Sequence, residues 1–225
     1  MGTNHSVSRR NFLQNTSAGM SMGWMASAGL EAASEGVPAV STSSHRHSVW
    51  IATLTMAQLE AGTMEEMVGK VLHRMEQTLA CQPDLICLPE TFPFHNVERS
   101  LPMKEAAESV PGMIVNRFAE FAKEHRCYVI CPLNTKDGDR FYNSAVVIDR
   151  EGKVIGAYHK IHPTVDEIES GVTPGPLQPP VFQTDFGMIG IQICFDINWP
   201  EGWRALRKAG AEIIFWPSEI GRAHV

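Results

Sequence analysis

The sequence predicts an α/β domain that packs helices against a mixed β-sheet. Short apolar runs with strand character alternate with segments whose apolar residues recur at helical spacing. In two places a short polar turn joins two consecutive strands, which indicates antiparallel hairpins within the alternating pattern. Helices are expected on one side of the sheet, and no internal repeat is visible.

The first half of the domain alternates strand and helix. A buried strand is predicted over 49–54. Thr63 and Glu66 have the spacing of a capping box, and apolar residues at helical spacing carry the helix that follows to about Ala80. The next apolar strand leads directly to Glu90. Strand and helix therefore alternate in this half of the domain.

The second half adds hairpins to this alternation. A helix is predicted to begin near Pro111, before a strand at 127–132. The later predicted elements are strands 141–148 and 153–159 around a turn at 149–152, strands 181–182 and 188–193 around a turn at 185–187, helix 200–209 and strand 212–216.

Size and charge limit the class of protein. With 225 residues and 44% hydrophobic composition, the chain can bury one substantial core, and one folded domain is predicted over 48–225. The net charge of -6 and the absence of a Lys/Arg-rich run argue against a nucleic-acid partner or an anionic-membrane partner.

The spacing of the five cysteines does not indicate disulfide bonds or a metal site. They are odd in number and lack paired CxxC spacing, so neither a disulfide scaffold nor a zinc site is predicted. Cys81, Cys87, Cys127 and Cys131 are expected to be small buried hydrophobes. Cys194 differs, because it ends an apolar strand and is followed closely by the polar residues Asp196 and Asn198.

Residues 1–47 are predicted to be an export signal and a flexible linker. Paired Arg9 and Arg10 precede a weakly apolar stretch at 18–33, which resembles a twin-arginine signal. That stretch is too short and too polar for a stable membrane span. The expected location is periplasmic or extracellular, and the alternative is a disordered basic tail.

Three chemically useful side chains stand at the ends of apolar strands: Glu90, Lys160 and Cys194. A neighbouring ammonium would favour the thiolate form of Cys194, and Glu90 could act as its general base. Lys160 could stabilise the negative oxygen of a tetrahedral intermediate. The alternatives are a core cysteine, a surface lysine and a solvated carboxylate.

The blocks around these residues resemble the three catalytic blocks of the nitrilase or carbon-nitrogen hydrolase superfamily. The blocks are 88–90, 160–163 and 193–196, in the family's order and separation. The resemblance implies an αββα sandwich and no cofactor. It also implies hydrolysis of a nonpeptide C–N bond in a small amide, with water, through a cysteine thioester.

The resemblance also implies roles for particular residues. Glu90 becomes the general base, Lys160 the cation for the oxyanion, and Cys194 the nucleophile. A second glutamate often follows the lysine, and both Glu167 and Glu169 are candidates. Glu169 is preferred, because its position before 171–175 is similar to the amidase pattern.

The sequence around the cysteine indicates a branch of the superfamily. Cys194-Phe195-Asp196 is closer to the Cys-aromatic-Asp block of amidases and carbamoylases than to the Cys-Trp-Glu block of true nitrilases. Amide or N-carbamoyl hydrolysis is therefore preferred over nitrile hydrolysis. Asn198 and Trp199 stand where several branches have a basic residue, which argues against an ω-amidic-acid substrate. The backbone N–H of Phe195 is a candidate second oxyanion donor.

Family members usually continue beyond the strand that follows the cysteine. The sandwich is therefore expected to be incomplete at the C-terminus, with an exposed edge that would reduce activity, and a full-length form is expected to be a homo-oligomer. One rival hypothesis is a noncatalytic exported domain that binds a small ligand. Another is a metal-dependent hydrolase built on His159, His162 and Asp166.

Overall fold

The computed structural model describes residues 48–219. They form two β-sheets and five α-helices, joined by short 3-10 turns. The strands are β1 (Ile51–Thr53), β2 (Leu85–Cys87), β3 (Tyr128–Asp137), β4 (Arg140–Ile148), β5 (Val154–His159), β6 (Val181–Thr184), β7 (Gly187–Ile191) and β8 (Ile213–Phe215). The helices are α1 (Met64–Glu76), α2 (Met103–Ala106), α3 (Met113–His125), α4 (Val165–Glu169) and α5 (Pro200–Lys208).

The first sheet has the order β1-β2-β3-β4-β5 and is mixed, as predicted. Strands β1, β2 and β3 are parallel, whereas β3, β4 and β5 are antiparallel to their neighbours. Strand β3 continues to Asp137, beyond its predicted end at 132, and pairs with β4 across a turn at 138–139. Gly138 has a φ of +56°, a left-handed conformation that glycine adopts without steric cost.

The second sheet has the order β6-β7-β8. Strands β6 and β7 form the predicted hairpin around 185–186. Strands β7 and β8 are parallel, and α5 is the crossover helix between them. Leu206 of α5 packs against this sheet so closely that a Cβ on Gly190 would lie 2.8 Å from its side chain.

Both faces of the first sheet are buried, because successive strand residues point to opposite sides. Ile86 packs with α1 and α3 in one apolar cluster, whereas Leu85 packs with the second sheet in another. The layers are thus α1 and α3, the first sheet, the second sheet and α5. This is the expected αββα sandwich.

The first helix begins where its capping box predicts. Thr63 Oγ1 accepts a hydrogen bond from the Glu66 N–H at 3.2 Å, and the Glu66 carboxylate accepts one from the Gly62 N–H at 2.8 Å. The helix ends at Glu76, earlier than the predicted Ala80, and a 3-10 turn at Leu79–Cys81 follows.

Arg150 joins several elements near the start of β2. It donates to Asp84 at 2.7 Å, to Asp185 at 2.9 Å and to the Arg126 carbonyl at 2.6 Å. These partners precede β2, connect β6 to β7, and follow α3, so one guanidinium holds both sheets and a helix together.

Within residues 48–219, no helix has both the length and the apolar character needed to cross a bilayer. The predicted export signal and linker at 1–47 lie outside the described residues, as does 220–225. Three of the four cysteines that were expected to be buried are so, but the prediction for Cys81 is wrong. Cys81 ends an exposed 3-10 turn.

Candidate active site

The three residues at the strand ends meet at one end of the sandwich. Glu90 lies three residues after the end of β2, and Lys160 immediately follows β5. Cys194 begins a 3-10 helix three residues after the end of β7. Glu90 and Lys160 are 5% and 1% exposed. The sequence predicted all three positions, although only Lys160 directly ends its strand.

A closed group of four side chains forms the centre of the site. Lys160 Nζ lies 2.8 Å from Glu90 Oε1 and 2.8 Å from Glu167 Oε2. Asn143 Nδ2 donates to both carboxylates, at 2.8 Å to Glu90 Oε1 and 2.7 Å to Glu167 Oε1. We call Glu90, Asn143, Lys160 and Glu167 the charged cluster.

The contacts within the charged cluster keep its ions charged despite their burial. Burial lowers the pKa of Lys160, but the charges of Glu90 and Glu167 outweigh it, so the pKa lies above the ordinary value. Burial raises the pKa of Glu167, but the charge of Lys160 and the hydrogen bonds outweigh it, so the pKa lies below the ordinary value. A buried positive charge is thus fixed beside Cys194.

Cys194 is half-buried beside this cluster, and the Glu90 carboxylate lies close enough to its thiol to act on the pKa of that thiol. Burial and then the Glu90 carboxylate raise the pKa of this thiol to about 12, although Lys160 and the backbone N–H of Glu219 act in the opposite direction. The ammonium acts in the expected direction, since it favours the thiolate, but burial and the Glu90 carboxylate outweigh it. The thiol is protonated at neutral pH and has a proton acceptor in contact with it.

The backbone at Cys194 is strained. Its φ is +42°, a left-handed conformation that costs free energy for a residue with a side chain. The conformation is held from both sides, because the Cys194 N–H donates to Pro217 at 3.0 Å and the Trp216 indole donates to the Cys194 carbonyl at 2.9 Å. Cys194 therefore lies at a turn that its surroundings impose.

A fully buried carboxylate, Asp196, connects this turn to the lysine segment. Asp196 Oδ2 accepts from the Ile193 N–H at 2.9 Å and from Tyr158 at 2.7 Å. Asp196 Oδ1 accepts from the backbone and the ring of His162, each at 2.9 Å. Tyr158 and His162 lie two residues on either side of Lys160, so Asp196 fixes the ammonium relative to the thiol.

The structure brings Glu167, and not Glu169, to Lys160. The preference for Glu169 does not agree with this geometry, since Glu169 is exposed at the end of α4. Glu167 is the third residue of the helix, where a capping box with Thr164 directs its carboxylate back towards the helix start. The spacing of Thr164 and Glu167 was a sequence signal that favoured Glu167.

The sequence reading missed Asn143 and Glu219, and it gave no partner to Asp196. Asn143 is 1% exposed in the middle of β4, and a polar residue in an apolar strand was the available signal. No local pattern marks Glu219, because its contact with Glu90 joins residues 129 positions apart.

The residues of the metal hypothesis have other partners. His159 Nδ1 lies 2.7 Å from Ser144 Oγ and its ring stacks on Tyr142. His162 contacts Asp196 and stacks on Trp199. Across residues 48–219, no group of three or more His, Cys, Asp or Glu side chains is placed to hold a metal ion.

Comparison with known proteins gives the family of this chain. Residues 50–225 match the carbon-nitrogen hydrolase family, and the chain belongs to that family. It is 34% identical over 143 residues to the β-ureidopropionase of Arabidopsis thaliana and 36% identical over 138 residues to a nitrilase of Pyrococcus abyssi. Both alignments cover 60% of this chain.

The chain spans 35% of the length of the β-ureidopropionase and 52% of the nitrilase. Among solved structures, an amidase from Nesterenkonia sp. matches with a TM-score of 0.65 and 17% identity. That match covers 78% of this chain and 66% of the amidase. It shows the fold that the two share.

Proposed function

We propose that this protein hydrolyses a nonpeptide C–N bond of a small amide or N-carbamoyl compound, with Cys194 as the nucleophile. The observation that carries the proposal is the contact of the Cys194 thiol with Glu90, which is itself paired with the buried Lys160. A thiol, a proton acceptor and a fixed cation are the groups that acyl transfer requires.

In the first step, Cys194 Sγ attacks the carbonyl carbon of the substrate while Glu90 takes the thiol proton. General-base assistance is needed, because the raised pKa of the thiol leaves almost no thiolate at neutral pH. Glu90 is the carboxylate that acts on the thiol in the free site, so it is the nearby acceptor for this proton.

The tetrahedral oxyanion is stabilised by Lys160 and by the backbone N–H of Phe195, which follows the nucleophile in the 3-10 helix. Protonated Glu90 then gives its proton to the leaving nitrogen, and the C–N bond breaks to leave a thioester on Cys194. Water attacks the thioester with Glu90 again acting as the base. The acid product leaves and the thiol regains its proton.

Glu167 is the proposed second glutamate. It holds Lys160 from the side opposite Glu90 and shares Asn143 with it, so the ammonium keeps one position during the reaction. A single carboxylate would lose part of its hold on Lys160 when Glu90 takes the thiol proton. The second carboxylate keeps Lys160 paired at that moment.

The relatives support this reaction class. A structure of the Nesterenkonia amidase shows covalent addition of the acetamide moiety of fluoroacetamide at the active-site cysteine. The β-ureidopropionase gives a reason to test N-carbamoyl substrates and the nitrilase a reason to test nitriles. The sequence Cys194-Phe195-Asp196 favours the amide and carbamoyl classes over the nitrile class.

The direct test is ammonia release from a panel of short aliphatic amides, N-carbamoyl amines and nitriles. We expect turnover of at least one amide or carbamoyl compound, and its loss in Cys194→Ala but not in the matched Cys81→Ala variant. An acyl adduct on Cys194 should appear by intact-protein mass spectrometry. Full turnover in Cys194→Ala would refute the mechanism, and substrate binding without turnover would favour a noncatalytic binding domain.

We also propose that residues 1–47 direct export by the twin-arginine route, on the evidence of Arg9 and Arg10. Fractionation of a bacterial host should find the protein outside the cytoplasm. Replacement of both arginines by lysine should retain it in the cytoplasm. Equal distribution of the two forms would contradict the proposal.

A further inference from the structure

The backbone N–H of Glu219 contacts both the nucleophile and the base of the proposed reaction. It donates to Glu90 Oε2 at 2.9 Å, and it lowers the pKa of the nearby Cys194 thiol. Glu90 Oε1 is already occupied by Lys160 and Asn143. The Glu219 N–H therefore contacts the remaining oxygen of Glu90.

A short chain of side-chain contacts holds this N–H in place. Glu219 Oε1 lies 3.2 Å from His95 Nδ1, and His95 Nε2 lies 2.9 Å from Thr91 Oγ1. Thr91 directly follows Glu90 and has a φ of +39°, so the turn that carries the base is itself strained. We call Thr91, His95 and Glu219 the latch.

We propose that His95 and the carboxylate of Glu219 are positioning residues, which hold the Glu219 N–H against Cys194 and Glu90. The proposal rests on the proposed function for its meaning in catalysis, but the contacts themselves do not depend on it. His95 bridges the segment after Glu90 and the segment after β8. These two segments are otherwise far apart in the sequence.

The N–H has a physical role at this point. A donor aimed at a sulfur stabilises the negative charge that forms as the proton leaves. The same donor restricts the orientation of the Glu90 carboxylate beside the thiol, so fewer unreactive orientations are populated. Loss of the latch would leave the side chains of the charged cluster in place but release this donor.

The latch is open to solvent, which makes it testable without loss of the fold. The His95 and Glu219 side chains are 20% and 42% exposed. Cavities of about 480 Å³ and 500 Å³ lie beside the pair, and His95 and Glu219 line both. Partly exposed polar contacts of this kind contribute little to stability, so variants of the latch should fold.

The experiment measures the rate of iodoacetamide alkylation of Cys194 as a function of pH in the full chain. All variants are made in a parent protein that carries Cys81→Ser, because Cys81 is exposed and would also be alkylated. The latch variants are His95→Ala and Glu219→Ala. Glu98→Gln is the matched control, since Glu98 lines the same cavity as Glu219. His95→Gln tests rescue, because its amide N–H can donate to the Glu219 carboxylate.

We expect the two latch variants to alkylate about tenfold more slowly near neutral pH, with the pH profile moved upward by about one unit. His95→Gln should recover part of the rate, and Glu98→Gln should match the parent. The kcat for amide hydrolysis should fall with the alkylation rate, while KM changes less.

Latch variants with the parent's alkylation profile would overturn the proposal. It would also be overturned by a parent in which Cys194 reacts no faster than the buried Cys87, Cys127 and Cys131. Alkylation needs no substrate turnover, so the two proposals fail separately. A parent that hydrolyses no amide but shows the expected alkylation differences would refute the proposed function and retain the latch.

Discussion

The first sheet carries a cation between two carboxylates at each of its ends. Lys160 lies between Glu90 and Glu167, where β2 and β5 end, at 2.8 Å from each. Arg150 lies between Asp84 and Asp185 near the start of β2, at 2.7 Å and 2.9 Å. The two groups have similar charge and similar distances.

Their surroundings differ. Arg150 also donates to a backbone carbonyl and lies over the Tyr128 ring, so its contacts join structural elements. Lys160 is 1% exposed and is paired with a carboxylate that lies near a thiol at a strained turn. The comparison teaches that a buried ion pair does not mark an active site by itself. An active site is indicated when a nucleophile also lies beside the ion pair.

The largest expected effect is the difference in kcat between the Lys160→Met and Arg150→Met variants. Lys160→Met should lower kcat by about 10³-fold or more, because the oxyanion loses its cation. It should also destabilise the fold by about 3–5 kcal/mol, since two buried carboxylates lose their partner. Ammonia release and urea unfolding measure the two effects.

Arg150→Met is the control for that substitution. Asp185 is 48% exposed, so solvent compensates part of the loss, and we expect destabilisation of about 1–2 kcal/mol. At a temperature where the variant is folded, its kcat should stay within about threefold of the wild type. Equal loss of kcat in both variants would mean that the two ends of the sheet do not differ in function.

The second prediction separates the two candidate glutamates. Glu167→Gln should lower kcat by about 10²-fold, because Lys160 loses the carboxylate that holds it opposite Glu90. Glu169→Gln should leave kcat unchanged, since Glu169 is exposed at the end of α4. Steady-state kinetics of the pair checks this, and a larger loss in Glu169→Gln would reverse the assignment.

The third prediction concerns the carboxylate that fixes the thiol turn. Asp196→Asn should destabilise the fold by about 2–3 kcal/mol, because an amide leaves at least one buried donor unpaired. Tyr158→Phe removes one of the donors and should cost about 1 kcal/mol. Urea unfolding compares the two variants. If both are as stable as the wild type, Asp196 does not hold the thiol turn to the lysine segment.

The smallest effect is a pH dependence of stability. The pKa of Glu167 is below the ordinary value in the folded protein. The contribution of Glu167 to the free energy of unfolding is therefore complete above the ordinary glutamate pKa. It is lost as the pH falls through the pKa that Glu167 has in the folded protein. The difference in unfolding free energy between wild type and Glu167→Gln should shrink between about pH 7 and about pH 3. A constant difference would contradict the ion pair.

The element order was readable from the sequence, because it depends on local patterns. The capping box at Thr63 placed the start of α1, and the turns at 149–152 and 185–187 placed two hairpins. The end of β3 was misplaced, because the polar residues after 132 look like a loop. They form a strand only because β4 pairs with them across a turn at Gly138.

The sequence also indicated Glu90, Lys160 and Cys194 as candidate site residues, since each follows an apolar strand and carries chemistry that a core does not need. It preferred Glu169 over Glu167, because a similarity of spacing says nothing about which face of a helix a residue occupies. On α4, the capping box with Thr164 decides that face.

The sequence by itself determined the layered α/β class, the succession of helices and strands along the chain, and the family to which the chain belongs, since these follow from periodicity and short motifs. Only the tertiary structure decided that the thiol is protonated, that Asp196 joins Cys194 to the lysine segment, and that Glu219 contacts the site. Each of these depends on burial and on contacts between residues distant in the chain. Local patterns carry no information about such contacts.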